Sequence, residues 1–428
     1  MNSRERFIEV MNFNRSVRTI KWEFGFWGQT IDRWYKEGLP KKHYPRMPTN
    51  IINTTSSLYT AVWTNEWRKK KSPFEKIFRE AEREIKLPIG IPVLSGGIPW
   101  PSQGFPLDWD VKDYFNFDSC QTSVCVEQLI YPHFEVKILS EDDKYIDYQD
   151  MDGAIRRFSK IQQVIPTGLD WPIKDWNDWN IIKEERMSLD NIEDRFPNNW
   201  HELVEEYKDR DYPLTLGCYP NGLFGSLTHL MGYENLFMSY YDKPDLIKDI
   251  LDRLTEIWMA LWEEIISQVE VDLCNFWEDI SSGKGSMISP RTFKEFLSPY
   301  YKKLTNFLKS KGVNIILVDT DGDCNELIPL LMEAGITGIY PMEVSAGMDV
   351  ITARKKYPDL QIMGGIPKSD ITFGKKRIDE FLEPVDWLLE QGGYIPHGDH
   401  LIPPEVPWKE FKYYREKLND MIDEKGTV

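Results

Sequence analysis

From about residue 213 onward, short β-type runs alternate with long amphipathic helical runs, and this alternation constrains the fold more than any other feature of the chain. The strand candidates are 213–217, 271–276, 313–318, 338–341, 360–364 and 393–396. Helical periodicity fills the gaps at 245–268, 290–310, 325–334, 349–357 and 375–391, and a last helix spans 407–423. Several boundaries have a mechanism. Ser289-Pro290 is an N-cap followed by proline at the first helical position, and Gly312, Gly335 and Gly392 sit where helices should stop. Strands separated by crossover helices pair in parallel.

Residues 19–25 (Thr-Ile-Lys-Trp-Glu-Phe-Gly) make a seventh strand, and 87–94 supplies an eighth. Eight parallel strands predict an α/β fold of the (β/α)8 TIM-barrel type. An open doubly wound sheet is the alternative, but the chain has no GxGxxG turn to support it. We expect one barrel domain over residues 1–428, interrupted at about 95–200 by an insertion. Within the insertion, 134–138, 144–148 and 154–158 alternate as an antiparallel meander of β-hairpins, and a Trp- and Pro-rich loop follows at 167–179.

Composition excludes several classes. The longest apolar runs, such as 327–332, fall far short of the roughly 20 residues a membrane span needs. The charged opening Met1-Asn2-Ser3-Arg4-Glu5-Arg6 leads into no apolar signal region, which predicts a cytoplasmic chain whose sequons at Asn14 and Asn53 carry no glycan. Five cysteines without CxxC spacing fit reduced thiols. A net charge of −17 disfavours nucleic acid and polyanionic substrates, and the run Arg68-Lys69-Lys70-Lys71 reads as a solvated helix end. With 16 Trp, 20 Tyr and 21 Phe, the chain has aromatic rings enough for its core and for the walls of a flat, apolar pocket.

In a barrel, catalytic groups come from the C-terminal ends of strands and the loops after them. Ionisable and aromatic residues recur at those exits: Glu23, Trp27 and Gln29; Cys218, Tyr219 and Asn221; Trp277, Glu278 and Asp279; Asp319, Asp321 and Asp323; Glu343; His397, Asp399 and His400. The run 319–323 resembles the start of a calcium loop but fails it, with Cys324 where glycine is required and Leu330 where glutamate is. Asp323 reads as a helix cap, while Asp319 and Asp321 leave the end of a buried strand and read as functional. Of the adjacent pair Glu278 and Asp279, one is expected at the barrel mouth and the other on the following loop. Gly364-Gly365 reads as a turn, and His43, His133, His201 and His229 read as structural.

The motifs Ile20-Lys-Trp-Glu-Phe-Gly25, Trp277-Glu-Asp279 with Ile288-Ser-Pro290, Val318-Asp-Thr-Asp-Gly322, Pro341-Met-Glu343 and 392–404 resemble the uroporphyrinogen decarboxylase-like superfamily over nearly the whole chain. The resemblance implies a barrel with a deep mouth cleft, shared by tetrapyrrole decarboxylases and corrinoid-linked methyltransferases. The decarboxylases grip a polycarboxylate with an arginine-bearing loop after the first strand. Here that loop reads Phe26-Trp-Gly-Gln-Thr30, and the first arginine is Arg33. The thiol-methylating branch carries His-x-Cys and a distant Cys on zinc. The matching positions here are Asp319-x-Asp321 with Asp399 or His400, so zinc is unsupported by the ligand pattern, although an oxygen-rich metal site stays open.

The remaining branch resembles the methyltransferases of anaerobic O-demethylation. It implies transfer of a methyl group from a small, aromatic methyl ether to cob(I)alamin, a cobalamin carried by a separate corrinoid protein docking at the barrel mouth. Asp319, Asp321, His400, Asp399, Glu343 and Glu278 are the candidate catalytic residues, with acid assistance to the leaving oxygen. Trp27, Tyr219, Trp277, Glu23 and His397 are the candidate substrate contacts. No Asp-x-His-x-x-Gly corrinoid motif is present, so the cobalamin would arrive on the partner. A lyase acting on a carboxylate, a methylamine or thiol methyltransferase, and a tetrapyrrole or corrinoid binder without turnover are the competing readings.

Overall fold

The computed structural model describes residues 1–41 and 106–425, apart from 120, 136, 151, 160–165, 191, 198 and 199. The expected strand at 87–94, Asn53, His43, Cys120 and the basic run 68–71 lie outside the described residues.

In chain order the strands are β1 (Thr122–Ser123), β2 (Lys137–Glu141), β3 (Tyr145–Gln149), β4 (Ile155–Ser159), β5 (Thr167–Asp170), β6 (Leu214–Gly217), β7 (Leu273–Trp277), β8 (Ser281–Ser282), β9 (Gly285–Ser286), β10 (Ile315–Asp319), β11 (Gly338–Tyr340), β12 (Gln361–Met363) and β13 (Tyr394–Ile395). Seven of them form one curled sheet in the order β1-β6-β7-β10-β11-β12-β13, and every pairing in it is parallel. All six strands expected after residue 213 are present. Helices Pro244–Gln268, Ser298–Ser310, Ile328–Glu333, Val350–Lys356 and Lys375–Gln391 make the crossovers, and Trp408–Lys425 follows β13. Ser289 accepts from the Thr292 amide at 3.0 Å, as its capping position predicts.

The expected strand at 19–25 forms differently. It makes no ladder, only a parallel bridge from Phe26 to Ile402. Side chains occupy the hydrogen-bonding groups a ladder would use: the Lys21 amide donates to the Asp118 carboxylate at 2.8 Å, and the Thr19 hydroxyl donates to the Tyr394 carbonyl at 2.6 Å. The segment still lies between the two sheet edges. Ile402 donates to Gly25 O at 2.8 Å on one side, and Asp118 donates to Lys21 O at 2.9 Å on the other. This closes the ring as a (β/α)8 barrel.

Alternate residues of a strand face opposite ways, so the barrel has two cores. Ile20, Trp22, Phe24, Leu273, Ile315, Leu317, Tyr340, Met363 and Ile395 fill the interior together with Phe7, Val10 and Met11 of the helix Ser3–Met11, which plugs it. The larger cluster lies between sheet and helices. There Trp258 and Trp262 stack at 5.9 Å against Phe276, and both indoles are fully buried.

Between β1, a barrel strand that falls inside the 95–200 segment expected as an insertion, and β6, the chain carries a four-stranded antiparallel sheet, β2-β3-β4-β5, where three strands are expected. Thr167–Asp170, assigned from sequence to the Trp-rich loop, pairs with β4 through a register shift next to Ile155. The loop ends sooner as well, because Asp175 caps a helix at Trp176–Glu185 by accepting from the Asn177 amide at 2.7 Å. Tryptophan and proline content reads as irregular backbone, but here two of the tryptophans head or fill a helix.

Candidate active site

Asp319 is the last residue of β10, on the same face as Leu317 and Ile315, so the interior column that begins apolar ends in a carboxyl at the barrel mouth. Its register partners are Trp277 on β7 and Tyr340 on β11. Trp22, Phe24, Gln121, Cys218, Tyr219, Asn275, Asp319 and Tyr340 enclose a cavity of about 20 Å³, room for roughly one water-sized group. None of these described residues is cationic.

Electrostatics at the cavity favour the protonated form of its carboxyls. Burial, and then the charges of Asp279 and Asp321, lift the Asp319 carboxyl well above the usual carboxylate range. The same causes, burial first and the Asp321 charge second, raise Asp279, whose Oδ1 accepts from the Asp321 amide at 3.4 Å. Asp279 sits at a backbone φ of 43°, a conformation that aspartate tolerates better than most residues, and this turns its carboxyl toward Asp321. Asp321 in turn pairs with His400 Nε2 at 3.2 Å, while the imidazole lies against Phe24 at 5.1 Å. Burial opposes charge on His400, but the hydrogen bond and charge of Asp321 outweigh it and raise its pKa. Cys218 is driven the other way from a nucleophile, because burial pushes its thiol up to about 11.

The expected residues separate into three groups. Asp319, Asp321, His400, Tyr219 and Trp277 come together, with Tyr219 packed edge-on to Trp277 at 4.6 Å. Glu343 and Asp399 meet a little away through Lys368, whose Nζ lies 3.4 Å from Glu343 and 3.3 Å from Asp399. Asp399 also accepts the Val344 and Lys368 amides at 2.8 and 3.0 Å, and Glu343 accepts the Gly322 amide at 3.0 Å. These two carboxylates tie the loops after β10, β11, β12 and β13 to one another.

The third group faces protein. Glu278 is fully buried under the helix Leu223–Met231 and accepts the Leu223, Phe224 and Gly225 amides at 2.7, 2.7 and 3.0 Å, as well as the Tyr301 hydroxyl. Burial pushes it up to about 7 against those four donors. Of the adjacent pair, Asp279 is therefore the one beside Asp321. Glu23 is spanned by the Gly398 amide, the Tyr414 hydroxyl at 3.2 Å and Arg415 at 3.3 Å. His397 stands edge-on to Trp22 at 5.0 Å with Nδ1 on Gly398 O at 2.7 Å, and burial pulls it down to about 3, so it is neutral wall material. Trp27 is half-buried against the interior cluster.

Sequence reasoning passed over Gln121, Asn275, Tyr340, Trp22 and Phe24 as site residues. Asn275 had a signal: it is the polar residue inside the buried run Leu273-Cys-Asn-Phe-Trp277, where an unpaired amide is costly. Tyr340 and Phe24 look like core from sequence alone. His229, read as structural, contacts Asp152 of the insertion at 3.1 Å, and its ring packs on Tyr219 and Trp277 at 5.3 Å each. This contact brings the insertion to the mouth. Gly364, read as a turn, has φ of 94°, and a Cβ there would meet Pro341 O at 2.0 Å. Among the described residues, no group of three or more His, Cys, Asp or Glu is arranged to hold a metal ion.

Residues 209–420 match the model of the family described as Uroporphyrinogen decarboxylase (URO-D). Uroporphyrinogen decarboxylase of Chlorobium limicola is 23% identical over 176 residues, 39% of this chain and 46% of that one, so the match spans less than half of that relative's length. Among solved structures, a methyltransferase from Methanosarcina mazei superposes with a TM-score of 0.45 at 15% identity, covering 92% of this chain and 99% of that one. The 3-keto-D-glucoside 4-epimerase YcjR from E. coli gives 0.32 at 13% identity, covering 59% and 95%. Neither superposition is close enough to carry an argument about chemistry. No described helix is long and apolar enough to cross a membrane.

Proposed function

We propose that this chain, whose residues 209–420 match the uroporphyrinogen decarboxylase family model, is a methyltransferase acting at the barrel mouth. It moves the methyl group of a small, aromatic methyl ether to a corrinoid carried by a partner protein. The observation that carries this reading is Asp319: a carboxyl at the cavity whose burial and acidic neighbours favour its protonated form, in a site with no ready nucleophile and no cation among its described lining residues.

The corrinoid supplies a strong nucleophile when it is present at the mouth. The chain's residues fit that division of labour, because Cys218 is a thiol with its proton held on and His397 is buried in the wall. Tyr219 and Trp277, partly exposed and packed edge-to-face at the cavity, are the aromatic side chains that would take an aryl group. Asp319 then delivers its proton to the ether oxygen as the methyl–oxygen bond breaks. The methyl leaves toward the acceptor, and the oxygen departs as a neutral hydroxyl. Asp321 and His400, half-exposed beside Asp279, return a proton from solvent. A tetrapyrrole polycarboxylate matches this lining poorly, since a binder of several carboxylates needs arginines.

The test is anaerobic incubation of the protein with reduced corrinoid protein, or free cob(I)alamin, and a panel of methoxylated phenols, with methylation followed by absorbance. Asp319→Asn should slow transfer by about 10²–10⁴-fold, the usual worth of a positioned acid. If no ether in the panel methylates the corrinoid, the reading is wrong, and a lyase acting on a carboxylate takes its place.

A further inference from the structure

Tyr340 is buried at the cavity beside Asp319, its register partner on the neighbouring strand. Its hydroxyl oxygen receives two donors: Gln121 Nε2 at 3.3 Å and Asn275 Nδ2. The second hydrogen of the Asn275 amide points at Cys218 Sγ, 3.5 Å away. An amide nitrogen donates only, and a phenol has a single proton. With two N–H groups entering, the Tyr340 proton must leave in a third direction, and the Asp319 carboxyl, its register partner on the wall of the same cavity, is the acceptor on that side. Gln121 and Asn275 are themselves 6% and 2% exposed, and their carbonyl oxygens have no partner among the described residues.

We propose that Tyr340 is a positioning residue that fixes which oxygen of Asp319 carries the acidic proton. The oxygen that accepts from Tyr340 cannot also bear the hydrogen in that direction, so the acid proton resides on the other oxygen, available to the cavity. The three residues act in line: two amides orient a phenol, and the phenol orients the acid. A phenylalanine would fill the same space and leave the proton free to sit on either oxygen. The inference rests on Asp319 as the proton donor of the reaction proposed above.

The test is infrared difference spectroscopy on the full chain with carbonyl-labelled aspartate, alongside the methyl-transfer assay. The band of a protonated Asp319 is identified as the carboxylic-acid C=O stretch that Asp319→Asn removes. In Tyr340→Phe that band should persist and move to higher frequency, since its carbonyl oxygen has lost a donor, and the pH at which it vanishes should rise. Gln121→Met, which leaves Tyr340 in place with a weaker donor, should give a smaller shift of the same sign, and it serves if Tyr340→Phe does not fold. A band unmoved in both variants overturns the positioning role while leaving the acid intact. If Asp319→Asn removes no such band, neither the acid nor its positioning survives. If the band behaves as expected but no ether is demethylated, the positioning stands and the reaction does not.

Discussion

Glu23→Gln separates a structural carboxylate from a substrate contact. Glu23 and Arg415 are both fully buried, 3.3 Å apart, and Glu23 also holds the Gly398 amide and the Tyr414 hydroxyl. Arg415 donates further to Trp22 O at 2.9 Å and to Asn419 at 3.0 Å, neither of which carries a charge. Glutamine keeps the shape but strands a guanidinium without its counter-charge, which costs about 3–5 kcal/mol when one partner of a buried pair is removed. Adding Arg415→Met removes the stranded charge and should return about 2 kcal/mol or more, less the roughly 1 kcal/mol lost at Trp22 O. The assay is urea unfolding of the four proteins of the cycle, followed by tryptophan fluorescence and compared at constant slope. If Glu23→Gln keeps the wild-type midpoint and raises only KM, or if the two single changes simply add, Glu23 does not brace the barrel.

Three further outcomes follow from the site. The folded pKa of His400 lies above its unfolded value, so its pairing stabilises the chain fully below about pH 6.5 and is lost as pH rises through the raised value. Asp321→Asn should flatten that part of a melting-temperature profile, and an unchanged profile would contradict the pairing. Gln128 donates to Gly217 O at 3.2 Å and accepts from Trp262 Nε1 at 2.9 Å. Gln128→Leu should therefore cost about 1–3 kcal/mol in chemical denaturation, the usual penalty of leaving buried polar groups unpaired. At Gly222, an added Cβ would stand 1.8 Å from Trp277 O against immobile backbone, so Gly222→Ala should lower soluble yield and melting temperature, whereas Gly283→Ala, with open space around it, should change neither.

The alternation after residue 213 was legible because the strands there are buried and several of the helices carry a cap or a glycine stop, as at Ser289, Gly312, Gly335 and Gly392. The first barrel segment was harder. Residues 19–25 read as a strand from their pattern, but Asp118 and Thr19 divert the hydrogen bonds by contacts that no local window contains. The site divides along the same line. Asp319, Asp321 and His400 stood out as charges leaving apolar runs, whereas Glu278 looked equivalent and is held instead by a helix N-terminus 55 residues earlier in the chain. Tyr340 belongs to the site through the register of neighbouring strands, and Phe24 through the closing of the ring, neither of which a single sequence displays.

The plugged interior orders events in time. Gln361 donates to Met11 O across 350 residues, Thr19 to Tyr394 O across 375, and Arg415 to Trp22 O across 393. A chain emerging from the ribosome makes its first helix and first barrel segment long before any of these partners exists. Trp22, Phe24 and the apolar face of the helix Ser3–Met11 must wait, uncovered, until β13 and the helix Trp408–Lys425 have been synthesised. Barrel closure and site assembly are thus the same late event, because the segment that seals the ring carries Trp22 and Phe24 and the last strand leads into His400.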